Sequence, residues 1–303
     1  MSTQESPYSR PGPNADEVLL GIDVGGTKIL GGLVSRQGEV LFEHRVPTRR
    51  ECLLEDLVGV AKILASQAGS RAHGIGVGMT GHIDRVNGVL VQSMNMRIRD
   101  IPIAQTLADE TGLSIYVEND VHAATIGEIH FGVGRAYKDF LLFNGGTGLA
   151  TGMVFNGRLH RGASNYAGEN GHISSDQSGS TICDCGLSGC TERMLIEVRE
   201  GADTVAAYLP RIEPPVSKAY GYLALSLIQL VNLLNPAAIA LAGGMFTGDR
   251  TPTDWVRRAV RAHALPNALS GLQEIELSRS APFTGLVGAA ALTIDADGFP
   301  SEI

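Results

Sequence analysis

The chain has 303 residues, with 24 Lys and Arg against 32 Asp and Glu, a formal charge of −8. With 44 % hydrophobic and 18 % charged residues, it has the make-up of a globular protein of about two domains, which excludes a disordered chain or a coiled coil. The acidic balance and the lack of a basic cluster argue against a nucleic-acid surface, and no apolar run reaches the ~18 residues of a membrane span.

Residues 1–17 are polar and Pro-bearing, without the apolar stretch of a secretory signal. Residues 18–46 carry apolar and β-branched runs broken by glycines and by a Gln37-Gly38 turn, which predicts a strand pair or a three-stranded meander. Helical periodicity over 52–69 is followed by a buried-strand pattern at 73–81, a helix at 101–112, a strand at 113–120 and a helix at 121–132. Residues 140–162 return to the glycine-rich strand pattern, with Asn156-Gly157 as a hairpin turn. Gly25-Gly26-Thr27 matches Gly145-Gly146-Thr147, Gly32 matches Gly152 and Val34 matches Val154, all at an offset of 120. Two copies of one supersecondary unit, or a chance likeness of glycine-rich hairpins, would give that result. Residues 191–234 read as mostly helical with a break near Pro214-Pro215, 237–246 as a strand entering a glycine turn, 274–280 as a last strand and 285–294 as a closing helix. This alternation predicts an α/β fold with mixed sheets covered on both faces. Glycine is in excess at 38 residues, so many tight turns or close backbone contacts are expected.

Asp23-Val24-Gly25-Gly26-Thr27-Lys28 ends one strand and enters the next. Its glycines would let backbone N–H groups approach an anion, Thr27 adds a hydroxyl donor, and Asp23 suits a hydrated Mg²⁺ beside phosphates; a plain hairpin turn would use the same residues. Neither GxxxxGK[ST] nor a GxGxxG leading into a helix occurs. Asp120 stands where a strand yields to a helix, a place for an N-cap or for an active carboxylate. His172 with Cys183, Cys185 and Cys190 makes a Cys₃His donor set, and three thiols so close together suit a metal in a reducing cytoplasm better than a disulfide. By themselves, Glu169 and Asn95 read as solvated loop residues, Gly243-Gly244 as a strand-end turn and Cys52 as a small core residue.

Together these motifs resemble the ROK family of repressors, uncharacterised reading frames and sugar kinases. Its DxGxTK motif stands at 23–28, END at Glu118-Asn119-Asp120, GTG at Gly146-Thr147-Gly148, GExGH at 168–172 and CxCGxxGCxE at 183–192. The resemblance runs over about 18–292 and implies the two-lobed actin-like fold of hexokinase and the 70-kDa chaperones, with duplicated strand–helix units and a zinc-bearing loop. It implies a flexible tail at 1–17, a small N-terminal lobe of 18–118 plus 288–303, and a large C-terminal lobe of 119–287 carrying the zinc.

The activity implied is ATP-dependent phosphorylation of a hexose-like sugar, with Asp120 as general base and Asn95, Asn119, Asp120, Glu169 and His172 on the sugar. Asp23, Gly25, Gly26, Thr27, Lys28, Gly146, Thr147 and Gly148 would hold phosphates, and Gly243 and Gly244 the adenosine side. His172, Cys183, Cys185 and Cys190 would hold a structural Zn²⁺, His172 using its second nitrogen on the sugar, and Mg²⁺ would accompany ATP. The resemblance favours a homodimer; the cysteine usage, the charge of −8 and the lack of an apolar span add the expectation of a cytoplasmic protein with no nucleic-acid or membrane partner. The chain departs from the family pattern at Met79-Thr80-Gly81-His82-Ile83-Asp84, at Ile98 in place of an aromatic residue, at His122, and at Asn144 and Ala150-Thr151 in the second loop. Departures around the acceptor leave glucose, an amino sugar, another hexose or a sugar-like cyclitol open. A sugar-responsive regulator or a non-catalytic sensor is the alternative within the family. A kinase is expected instead, because only 22 residues precede Asp23, the charge is −8, and Asp23, Thr27, Thr147 and Asp120 are all present.

Overall fold

A computed structural model describes residues 17–146, 148–175, 181–198, 218–247 and 250–294. The first half runs β1 (Leu19–Val24), β2 (Lys28–Val34), β3 (Val40–Pro47), α1 (Leu53–Ala68), β4 (Gly74–Met79), β5 (His82–Asp84), β6 (Val89–Ser93), β7 (Ile98–Pro102), α2 (Ile103–Thr111), β8 (Ser114–Asn119) and α3 (Asp120–Phe131). The second runs β9 (Phe140–Gly145), β10 (Leu149–Phe155), β11 (Arg158–Leu159), α4 (Thr191–Val198), α5 (Lys218–Leu234), β12 (Ala238–Ala242), α6 (Arg250–His263), α7 (Pro266–Leu269), β13 (Glu274–Leu277) and α8 (Thr284–Ala291). The expected tail up to residue 16 and the break at Pro214-Pro215 lie outside the described residues.

Two five-stranded sheets have the same plan. The first is ordered β3-β2-β1-β4-β8 and the second β11-β10-β9-β12-β13; in each, an antiparallel hairpin leads into three parallel strands. The internal echo is therefore a duplication of architecture. Its register is not a constant offset, however: Val24 pairs with Ile29 across the first turn, whereas Gly145 pairs with Leu149 across the second, leaving one residue fewer between the paired positions.

The central strands β4 and β12 are buried at every position, as parallel strands covered on both faces must be. One face of the first sheet packs Leu20, Ile22 and Val77 against the apolar stripe of α1, Leu57, Val60 and Leu64. On its other face Leu19 and Leu30 meet Leu286 and Val287 of α8. That helix lies almost on the backbone: a Cβ on Gly76 would overlap the Ala289 carbonyl oxygen, and one on Gly288 would overlap the Ala124 backbone in α3. Part of the glycine excess is thus spent on close packing of helix to sheet and helix to helix. The second sheet packs Leu141, Phe143 and Ile239 against α5 and α6, and its opposite face packs Phe140 and Ala240 against Ala124 of α3. The α3–α8 pair consequently sits between the two sheets, and the β8–α3 junction falls at the cleft.

Residues 82–102, where the pattern predicts no strand, form a three-stranded antiparallel sheet, β5-β6-β7. These strands are only three to five residues long, too short for an apolar period to show. Cys52 is half-buried just ahead of α1 and stands outside the core clusters, which corrects its reading as a core residue. No helix among the described residues is long and apolar enough to cross a membrane.

Candidate active site

A cavity of about 210 Å³ opens between the two glycine turns. Gly25 and Gly26 of the β1–β2 turn line one side, and Gly148 and Leu149 of the β9–β10 turn the other. Asn119 and Asp120 enter from the β8–α3 junction, Asn95 from the β6–β7 turn, and Glu169 and His172 from the strap after β11. Sequence positions spread over almost 150 residues are thereby brought to one cavity.

Asp120 is not the N-cap of α3. Asn119 is: its Oδ1 accepts the backbone N–H groups of Val121 at 3.0 Å and His122 at 3.1 Å, while its Nδ2 donates to the Gly81 carbonyl at 3.2 Å. Capping by Asn119 leaves the Asp120 carboxylate free to line the cavity, with its Oδ1 accepting the N–H of its neighbour Val121 at 3.0 Å. Burial pushes the Asp120 carboxyl above the usual range, against the pull of Val121 N–H and His122. Asp23, at the end of β1, is pushed up to about 7 by burial and by the charge of Asp120, with Lys28 acting in the opposite sense. Gly285 at the start of α8 leaves it room, since a Cβ there would press on its carboxylate.

Other anticipated residues lie beside the cavity. Thr27 and Lys28 are exposed on the first turn and Gly146 is half-buried on the second; Thr147 lies outside the described residues. Gly243, at φ +90°, packs on the Gly145 carbonyl with exposed Gly244 next to it, and Met245 N–H donates to that same carbonyl at 2.9 Å. The 243–245 turn is so tied to the end of β9, behind the second glycine turn.

His172, Cys183, Cys185 and Cys190 bring their donor atoms within 4.8 Å of one another. A tight turn makes this possible: Cys183 N–H donates to the Leu187 carbonyl at 2.9 Å, Gly186 N–H to the Cys183 carbonyl at 2.9 Å, and Gly186 takes φ +89°. The Cys190 thiol is pushed up to about 12 by burial and by the neighbouring Cys185 and Cys183 thiols, so several thiolates would coexist there only with a cation among them. The donor set and its closeness fit a closed, four-ligand zinc site.

Glu192 is the site residue for which the motifs suggested no role. It lines the cavity from the first turn of α4, and its Oε2 accepts Leu149 N–H at 2.8 Å, tying the cysteine segment to the second glycine turn. Its place as the last residue of the CxCGxxGCxE run was the available signal. Two departures from the family pattern also find explanations. Thr151 anchors the Glu169 strap, its N–H donating to the Gly168 carbonyl and its hydroxyl to Asn170 Oδ1, each at 2.8 Å. His122, expected around the acceptor, is buried beneath the strap with Nε2 3.0 Å from the Ala167 carbonyl, and does not line the cavity.

Comparison with known proteins agrees with this architecture. The chain matches the ROK family over residues 19–198 and 209–296, and it belongs to that family. It is similar to a glucokinase of Halalkalibacterium halodurans, 28 % identical over 318 aligned residues that cover 92 % of this chain and 95 % of the relative. It is also similar to a xylose repressor of Bacillus spizizenii, 25 % identical over 290 residues, covering 88 % of this chain and 75 % of the repressor. Among solved structures, a ROK family glucokinase from Streptomyces griseus in complex with glucose and AMPPNP superposes with a TM-score of 0.75 at 26 % identity, covering 91 % of this chain and 98 % of that one. The expected two-lobed α/β fold with duplicated units is therefore the fold of this chain.

Proposed function

We propose that this protein is an ATP-dependent kinase that phosphorylates a hydroxyl of a hexose-like sugar or a sugar-like cyclitol. The observation that carries the reading is the Asp120 carboxylate, released from helix capping by Asn119 and facing a cavity flanked by two glycine turns. The glucokinase relatives support the same reaction class.

In this reading Asn95, Asn119, Glu169, His172 and Glu192 hold the acceptor hydroxyls. Gly25 and Gly146 give their N–H groups to the Lys28 and Gly148 carbonyls, at 3.0 and 2.9 Å, and so shape the two turns; with Gly26, Thr27, Lys28, Thr147 and Gly148 those turns would hold the phosphates, and Gly243 and Gly244 the adenosine side. Asp120 takes the proton of the acceptor hydroxyl as its oxygen attacks the γ-phosphorus; the bond to the β–γ bridging oxygen breaks, ADP departs, and Asp120 returns the proton to solvent. Asp23 suits Mg²⁺, because a carboxyl raised to about 7 by burial and by Asp120 ionises readily beside a divalent cation. That ion would supply charge neutralisation at the phosphates. His172 Nδ1 and the sulfurs of Cys183, Cys185 and Cys190 would hold Zn²⁺ as a structural ion that stiffens the Glu169 strap. Closure between lobes of 18–118 plus 288–303 and 119–287 would exclude water.

Similarity to a xylose repressor favours a second reading, a sugar-responsive regulator. A coupled ADP-release assay across hexoses, N-acylated amino sugars, ketoses and cyclitols separates the two. Turnover of at least one acceptor at about 1 s⁻¹ or faster supports the kinase. Saturable sugar binding without ADP release overturns it in favour of the regulator.

A further inference from the structure

Glu118 precedes the Asn119-Asp120 pair and is wholly buried. A buried carboxylate needs partners, and this one draws them from three separate stretches of chain. Arg85 Nε, just after β5, is 2.6 Å from Oε2; Arg161 Nε, just after β11, donates to the same oxygen at 2.9 Å. Asn165 Nδ2 donates to Oε1 at 3.2 Å, and the backbone N–H of Asn119 donates to it at 2.9 Å. His122 Nδ1 faces Oε1 from 3.6 Å.

Arg161 and Asn165 belong to the strap that ends in Glu169 and His172. Ala167 N–H donates to the Arg161 carbonyl at 3.0 Å, closing the strap into a loop, and Asn165 takes φ +57°, where the backbone folds inward. Asn165 Nδ2 also reaches the Ile83 carbonyl of β5 at 3.4 Å. The strap from the second half of the chain is in this way pinned to β5 and β8 from the first half, with one carboxylate at the crossing. Apolar packing would hold such a loop without fixing its rotation or register; paired charges with directional N–H donors fix both, and removing one member leaves the others buried and uncompensated.

We propose that Glu118 is a positioning residue for acceptor recognition: through Arg85, Arg161 and Asn165 it sets the strap so that Glu169 and His172 face Asn119 and Asp120 across the cavity. The proposal rests on the kinase reading for its consequence on substrate, though its structural part stands apart from activity.

Two measurements on the full chain test it, using Glu118→Gln, which keeps shape and loses charge, and Arg161→Gln at the rim of the network, where the side chain is 20 % exposed, in case the first variant fails to fold. Hydrogen–deuterium exchange should rise in the strap, 160–172, and stay unchanged in β9 and β12. In the kinase assay both variants should raise the KM for the acceptor at least about tenfold while the KM for ATP moves less than about twofold, and Arg161→Lys should recover part of the loss. Unchanged strap exchange in a folded variant overturns the proposal, as does equal loss of acceptor and ATP affinity, which would mark general damage to the fold. If the wild-type protein turns over no acceptor, the kinase reading fails and the exchange measurement alone decides the role of Glu118 in holding the strap.

Discussion

His172 and Cys183 approach to 3.7 Å, Nδ1 to Sγ, while the other nitrogen of the same imidazole lies 4.0 Å from the Glu169 carboxylate. One ring therefore belongs to the cysteine cluster on one side and to the cavity on the other. A metal on Nδ1 would fix the ring plane and, with it, the side of His172 offered to a sugar.

Zinc content follows from that arrangement. Elemental analysis of freshly purified protein should find about one zinc per chain. Cys190→Ser should lower zinc content and thermal stability and raise the acceptor KM more than the ATP KM. Full stability and acceptor affinity in metal-free protein would remove the ion from the account of the site.

Asp120→Asn should bind acceptor nearly as well as wild type and lose about 10²–10⁴-fold in kcat, because the amide keeps shape and polarity but accepts no proton. Ligand-induced thermal shift and ADP release measure the two halves. Since burial raises this carboxyl, and the base must be ionised, kcat/KM should decline on the acid side beginning at a pH above the ordinary aspartate range.

Acid stability should carry the signature of Glu118. Burial raises its carboxyl, but His122, Arg85 and Arg161 outweigh burial and hold it at about 2, against 4.5 when unfolded. The unfolded chain therefore binds the proton first as pH falls. The stabilisation is complete above about pH 4.5 and is lost between there and about 2, an amount of roughly 3 kcal/mol. Asp23 and Asp120, raised by burial, act in the opposite direction, so the measurement is the difference between wild type and Glu118→Gln in urea unfolding at several pH values. The variant should lose less stability on acidification; parallel curves would contradict the assignment.

Gly76→Ala and Gly59→Ala should move stability in opposite directions. A methyl at Gly76 overlaps the Ala289 carbonyl and forces α8 off the first sheet, a cost of about 2 kcal/mol or more. At Gly59, in the middle of α1, nothing stands within 4 Å of a new methyl, so the higher helix propensity of alanine should stabilise by up to about 1 kcal/mol. Urea midpoints of the two variants check both signs.

The sequence by itself determined what short windows encode. Glycine-punctuated apolar runs located both hairpins, unbroken apolar runs marked the buried parallel strands, and the spacing of His172, Cys183, Cys185 and Cys190 identified a donor set that the fold gathers within 4.8 Å. Only the tertiary structure decided which neighbour of the β8–α3 junction caps the helix and which is left free, because Asn119 and Asp120 are both good caps and the choice depends on the Gly81 carbonyl that holds the Asn119 amide. Nor could local pattern reveal the strands of 82–102 or the hub at Glu118, and for Glu192 it offered only a place in a motif, not a place in the cavity. The partners of Glu118 on the strap lie 43 and 47 residues away, and a buried charge becomes legible only when the groups that neutralise it are seen together.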